Sequence, residues 1–250
     1  MAWRPTPMPP DREAPGDKPA ARRTTGAAMD GRGFAECTGV SRETLDRLTA
    51  YAALLTKWQR RINLVGPKTV PDLWRRHMLD SAQLLPRLPP GTKTVVDLGS
   101  GAGFPGLVLA ALGTDRGDGG IEQVHLVESD QRKAVFLREA ARAMALGSRV
   151  TVHAARIESL DPIRADCVTA RALAPVGTLL DYAARLVGEN VPCVFLKGKR
   201  LEDELTDAKS SWYIKYRIDA SQTDAEGAIL TIEDFADVRR DSRIDDPPQG

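Results

Sequence analysis

Apolar residues recur at spacings of three and four through Leu45, Leu48, Ala52, Leu55, Trp58 and Ile62, which predicts an amphipathic helix. Ser41 can cap it, Glu43 suits its first turn, and Lys57, Arg60 and Arg61 end it against the negative end of its dipole. After the turn Asn63-Leu64-Val65-Gly66-Pro67, a second helix is expected from about Val70 to Leu88. Its buried side is Trp74, Met78, Ala82, Leu85 and Leu88, with Arg76, His77 and Asp80 on another face. The β-branched run Thr94 to Leu98 then predicts a buried strand, followed by a glycine turn in which Pro105 suits a first helical turn, and by a helix to about Leu112. Gly113 to Gly120 reads as a surface loop and Glu122 to Glu128 as a second strand.

Asp130 caps a helix whose Ala134, Leu137, Ala141 and Met144 share a face, and Gly147 closes it. Val150 to Ala154 is a third strand and Cys167 to Ala170 a fourth, ending at Arg171 and followed by a helix to about Val187. Val191 to Leu196 is a fifth, opening into Lys197-Gly198-Lys199-Arg200. This alternation of strand and helix predicts an α/β fold, a parallel sheet with right-handed crossovers and helices on both faces. Trp212 to Asp219 and Ala228 to Ile232 alternate with little room for a helix between them, so they are expected to pair as an antiparallel hairpin at the sheet edge.

Residues 1–33 are dense in Pro, Arg, Gly and Ala without apolar periodicity and read as a disordered tail, with Met29 as a candidate start of translation where the tail ends. The expected organisation is therefore a tail over 1–33, a helical extension over 34–90, the sheet domain over 91–240 and a short tail over 241–250. With 250 residues and 42% apolar content the chain can bury one good-sized core. A net charge of +1 excludes a uniformly basic protein, so any nucleic-acid contact must come from a local patch. Cys37, Cys167 and Cys193 show no C-x-x-C spacing, which argues against disulfides and zinc; no metal is expected. No apolar run reaches transmembrane length and the amino terminus has no signal core, so a soluble cytoplasmic protein is expected.

The glycine turn carries the chemistry. Gly99, Gly101 and Gly103 let the backbone approach a ligand closely, and Gly101 to Gly106 is also a literal G-x-G-x-x-G. Asp97 at the strand tip would repel a pyrophosphate but attract the ammonium and sulfonium of S-adenosylmethionine, which favours that cofactor over NAD. Glu128, at the tip of the neighbouring strand, is placed to accept from both ribose hydroxyls, and Arg156-Ile157-Glu158 lies where an adenine edge would rest. A parallel sheet closed by an antiparallel hairpin is the usual form of class I S-adenosylmethionine-dependent methyltransferases, a Rossmann-like fold, here preceded by amino-terminal helices. Arg76 and Asp80 alone would be an ordinary exposed i,i+4 pair, and His77 alone a surface or capping residue.

Asn63-Leu64, Arg76-His77-x-x-Asp80-Ser81, Asp97 to Gly106, Arg156-Ile157-Glu158 and Arg171 occur in the order and spacing of the bacterial RsmG (GidB) family, which the chain resembles from about Leu45 to Leu230. That family methylates N7 of one guanine in 16S rRNA. The resemblance implies that Gly99, Phe104, Ile157, Glu158 and Arg171 contact S-adenosylmethionine; Asp97, Gly101, Gly103 and Glu128 join them from the residues themselves. Arg171 also borders the methyl-transfer position, where it can meet the target base or a phosphate. Arg76, His77, Asp80 and Asn63 are expected to position RNA, with His77 and Asp80 orienting Arg76 or the Asn63 turn and no general base. Guanine N7 has an in-plane lone pair, so proximity and orientation are the main demands. Cys193 begins an apolar strand and reads as core. A basic rim of Lys57, Arg60, Arg61, Arg75, Arg76, Arg171, Lys197, Lys199 and Arg200 is expected to meet phosphates of 16S rRNA within a small-subunit particle, without DNA or membrane partners. The oligomeric state stays open, a monomer being the default. An NAD-dependent oxidoreductase and a non-catalytic RNA-binding protein on the same fold are the competing readings, which calorimetry with the two cofactors and methylation mapping would separate.

Overall fold

Thr94–Leu98 (β1) lies inside a seven-stranded sheet in the computed structural model, which describes residues 28–115 and 119–238. The other strands are Gln123–Val127 (β2), Val150–His153 (β3), Cys167–Arg171 (β4), Cys193–Lys197 (β5), Trp212–Ala220 (β6) and Ala228–Asp237 (β7), in the spatial order β3-β2-β1-β4-β5-β7-β6. β1 to β5 are parallel, while β7 runs antiparallel between β5 and β6. The chain builds outward from β1 to β3 and returns to the other side of β1 with β4, so the strand order reverses between β1 and β4. At such a switch point the two following loops part and leave a crevice beyond the strand ends. Leu98 pairs with Ala170, which puts Gly99 and Arg171 side by side at the mouth of that crevice.

Each face of the sheet has its own core. Val95, Val124 and Leu126 pack under Arg42–Gln59 (α2), Gly106–Leu112 (α4) and Gln131–Ala143 (α5). Val96, Leu98, Val168 and Phe195 pack under Val176–Leu186 (α6) and Leu201–Ala208 (α7). As its spacing predicts, α2 buries Leu48, Ala52 and Leu55, and it buries Tyr51 beside them; the Ser41 hydroxyl caps it by accepting from the Thr44 N–H at 3.1 Å. Among the described residues no helix is long and apolar enough to cross a membrane.

Four expectations need correction. The tail expected over 1–33 runs into a helix, Gly31–Thr38 (α1), capped by Asp30 and closed by Gly39. Its one buried side chain, Phe34, packs 5.5 Å from the Trp74 ring, a long-range anchor that leaves no periodicity to read; residues 1–27 and the tail over 241–250 lie outside the described residues. The single helix expected from Val70 to Leu88 is broken into a 3-10 turn (Pro67–Asp72), a π-turn (Trp74–Leu79), a short α-turn Asp80–Ala82 (α3) and another 3-10 turn (Leu85–Arg87). Pro71 and Pro86 sit inside the first and last of these and cannot donate to a continuous ladder. A helix not anticipated, α7, buries Leu201, Leu205 and Ala208. Finally, β7 continues past Ile232 to Asp237, because a bulge between Lys215 and Tyr216 resets the alternation.

If α1 is part of the core, Phe34→Ala will cost about 3–5 kcal/mol of stability in urea unfolding, the range for a fully buried aromatic. A loss under about 1 kcal/mol would return α1 to the tail.

Candidate active site

The turn after β1 is fixed from two sides. The Ser100 N–H donates to the Val127 carbonyl at 3.0 Å, and the Gly101 N–H donates to Glu128 Oε2 at 2.8 Å. Glu128 Oε1 accepts from the Asp130 N–H at 2.8 Å, so one carboxylate ties the turn to the start of α5. Below the turn, the buried Tyr51 hydroxyl donates to the Ala102 carbonyl. Two glycines here are obligatory. At Gly99, φ is 62° and a β-carbon would stand 2.5 Å from Leu173 Cδ1; at Gly103, φ is 97° and a β-carbon would stand 2.5 Å from Leu107 Cδ1.

Asp97 does not face the crevice. Strand alternation puts it on the side of Val95, beneath the turn, where Oδ1 accepts from Thr169 Oγ1 at 2.8 Å and Oδ2 from the Gly106 N–H at 3.3 Å. It is fully buried, and burial raises its pKa from 3.8 to about 6, against the pull of these hydrogen bonds and of Arg171. The expected attraction between this carboxylate and a cofactor ammonium is therefore corrected: Asp97 supports the turn from inside.

Above the turn lies a cavity of about 450 Å³. Of the residues expected there, Gly99, Gly101, Phe104, Glu128, Ile157, Glu158 and Arg171 line it, whereas Asp97 and Gly103 do not. Sequence reasoning missed Ser129, Lys133, Leu173 and Tyr182, which also line it. Lys133 was legible in principle, because with Arg132 it puts two cations into the first turn of α5, the end of a helix that favours acids. Tyr182 is hydrogen-bonded to Glu158, and its pKa is raised by burial and by that carboxylate.

A second cavity, of about 650 Å³, adjoins the first and shares Leu64, Arg171, Ala172 and Leu173 with it. Arg171 is the hub of that wall. Its Nη1 donates to Asp80 Oδ2 at 3.2 Å and to the Arg76 carbonyl at 3.3 Å, its Nη2 donates to His77 Nδ1 at 2.7 Å, and its guanidinium lies 5.0 Å from the Phe104 ring centroid. The His77 ring stacks on the same phenyl at 5.0 Å. Asp80 thus pairs with Arg171 and not with Arg76, which reaches Asp224 at 3.1 Å.

The partners of His77 dictate its state. A guanidinium only donates, so Nδ1 must accept; Nε2 then carries the proton and donates to Thr69 Oγ1 at 2.7 Å, and that hydroxyl donates to the Gly66 carbonyl at 2.7 Å. Burial, reinforced by the Arg171 and Arg76 cations, lowers the His77 pKa to about 3. The ring is neutral at physiological pH and cannot lend a proton there. Its contact is to Arg171, in place of the expected orientation of Arg76 or the Asn63 turn.

The remaining candidates divide. Arg76, His77, Asp80 and Arg200 line the second cavity, while Asn63 is exposed, accepts from Gln59 at 3.4 Å and lines neither. Lys197 is not a free rim cation, since it forms a largely buried pair with Glu204 at 2.5 Å. Arg75 lies 3.6 Å from Asp72. Lys57, Arg60, Arg61 and Lys199 are exposed. Cys193 is buried in β5, where burial pushes its thiol pKa up, as befits a core residue.

Against known proteins, a family model described as rRNA small subunit methyltransferase G matches residues 44–230. Relatives named ribosomal RNA small subunit methyltransferase G include one from Paramagnetospirillum magneticum, 55% identical over 199 residues, covering 80% of this chain and 93% of the relative. Another, from Rhodospirillum rubrum, is 52% identical over 204 residues, covering 82% and 97%. Among solved structures, the tRNA methyltransferase TrmI from Aquifex aeolicus matches at TM-score 0.50 and 14% identity over 76% of each chain. A variant of MtNAS in complex with S-adenosylmethionine matches at TM-score 0.50 and 14% identity, over 82% of this chain and 84% of that one. At that identity both report the fold alone.

Asp97 generates a pH prediction. Its folded pKa is raised, so between about pH 4 and 6 the folded protein holds a proton that the unfolded chain releases, and the stability this provides is lost as pH rises through 6. Wild type should therefore gain stability relative to Asp97→Asn as pH falls from 7 to 4, by up to roughly 3 kcal/mol in paired urea titrations. A difference that shrinks with falling pH would contradict the buried, raised carboxyl. His77 contributes with the opposite sign, since its depressed pKa gives stability above pH 6.5 that fades on acidification, and it cancels in the comparison.

Proposed function

The chain belongs to the GidB family of rRNA small subunit methyltransferases, and from that premise we propose that it transfers the methyl group of S-adenosylmethionine to N7 of one guanine in the 16S rRNA of a small-subunit particle. The observation that carries this reading is the pair of adjoining cavities at the β1/β4 switch point, walled by Arg171 and Leu173. One suits a cofactor, and the other opens beside it for a base.

The first cavity fits S-adenosylmethionine in its donor set. Close backbone at Gly99 and Gly101, the Glu128 carboxylate, the apolar Ile157 and Glu158 would hold an adenosine and its ribose. Bound there, S-adenosylmethionine supplies an electrophilic methyl on a sulfonium, so that the N7–C bond forms as the C–S bond breaks and no proton has to leave. The work left to the chain is to hold the base in line, which is orientation. Arg171 is suited to that work because four groups fix it: Asp80, His77, the Arg76 carbonyl and Phe104. Neutral His77 orients Arg171 and takes no part in proton transfer. With Asp97 turned inward, the choice of S-adenosylmethionine over NAD rests on family membership.

Mapping of 16S rRNA methylation with and without the protein tests the function, with one N7-methylguanine expected to depend on it. Glu128→Gln is expected to weaken S-adenosylmethionine binding by about 1–3 kcal/mol in calorimetry, the scale for hydrogen bonds to a charged group. Between pH 5.5 and 8 the rate should show no step from His77, and His77→Gln should keep the wild-type pH profile at a reduced rate. A rate that follows an imidazole titration and disappears in His77→Gln would overturn the base-free chemistry.

A further inference from the structure

The cations at the end of α2 do not stand alone. Lys57 and Arg61 share a cleft of about 300 Å³ with Trp58, Ile62, Arg132 and Val135, between the last turn of α2 and the first turns of α5. Its floor is apolar: Val135 is 47% exposed, Ile62 is half-buried, and the half-buried Trp58 ring packs edge-on against Phe136 at 5.6 Å. The rim is cationic and poorly neutralised. Lys57, Arg60 and Arg61 have no acidic partner among the described residues, and Arg132 has only a 3.6 Å contact to Asp130, whose carboxylate already caps α5.

Two features make this cluster costly for the fold alone. Arg132 and Lys133 sit at the positive end of α5, where no acid accompanies them in the first turn. Arg132 also faces the cations of α2 across the cleft, so like charges from two helices are gathered over exposed apolar surface. A polyanion with flat apolar faces relieves both. The cleft neighbours the site along the chain: Lys133, next to Arg132, lines the first cavity, and Leu64, two residues past Ile62, lines both cavities.

We propose that the α2–α5 cleft is a second RNA contact, distinct from the guanine cavity, that takes one unstacked nucleotide of the substrate rRNA. The base lies against Trp58, Ile62 and Val135, and flanking phosphates meet Lys57, Arg61 and Arg132. This rests on the proposed rRNA substrate, and it adds a contact that sets RNA affinity without touching the methyl-transfer position.

The test measures binding of full-length protein, with S-adenosylhomocysteine present, to unmethylated small-subunit rRNA and to intact small-subunit particles over a salt series. Arg61→Ala and Arg132→Ala should each weaken binding to naked rRNA about 3- to 10-fold and make the slope of log K against log salt shallower by roughly one. Val135→Glu, at an exposed position, should weaken it at least as much. Affinity for S-adenosylmethionine should stay at the wild-type value in all three. Unchanged rRNA affinity and salt slope overturn the proposal, as does a loss seen with particles but not with naked rRNA, which would assign the cleft to a ribosomal protein. Methyl transfer by wild type to the same rRNA is scored separately: its absence counts against the proposed function, while its presence beside unaffected variants counts against the cleft alone.

Discussion

A guanidinium at the end of β4, only 18% exposed, has to be neutralised where it stands, and the molecule is built around doing so. Asp80 supplies the charge, His77 and the Arg76 carbonyl supply acceptors, and the Phe104 ring supplies a face. All but Phe104 come from the segment between α2 and β1, so Arg171 ties the helical extension to the sheet. Removing one partner of such a buried pair costs about 3–5 kcal/mol, mostly for the charge left behind. That cost fixes the extension beside the crevice and shapes the second cavity as much as any apolar contact. The same demand sets the chemistry of His77, because a ring that must accept from Arg171 on one nitrogen and donate to Thr69 on the other has a single neutral state.

The glycine turn is held by an analogous division of labour. Glu128 pins it from the cavity side, while Tyr51 and Asp97 hold it from below. The turn itself therefore gives the cavity only uncharged groups, from Gly99 to Ala102 and Phe104, while the charges come from the elements around it. Arg171 is the cation common to both cavities, at the boundary where a cofactor and a base would meet.

Much of this was legible in the sequence, and the misses have physical causes. Strand and helix alternation predicted the parallel sheet and its antiparallel hairpin, and the spacing of Glu128 past the glycine turn and the loop position of Ile157 brought out two residues that line the first cavity. Asp97 was misread because a position at a strand tip was weighed above the alternation that puts it beside Val95, into the core. Trp74 to Leu79 has helical spacing, but Pro71 and Pro86 bound the regular stretch, and the π-turn and the short α3 after it carry His77 and Asp80 toward Arg171 instead of solvent. The pairing of Asp80 with Arg171 spans 91 positions, a separation no local pattern reports. For α1 and α7, one or a few buried residues in eight give too little periodicity to separate a docked helix from a loop.

The central claim is that cofactor and base occupy the two cavities on either side of Arg171. A crystal structure of the protein with S-adenosylhomocysteine tests it most directly. The adenosine is expected between Gly99, Glu128 and Ile157, the homocysteine sulfur directed toward Arg171 and Leu173, and the cavity at Thr69 and Asp224 left open for the base. A ligand lodged in that second cavity, or an adenosine away from Glu128, would contradict it.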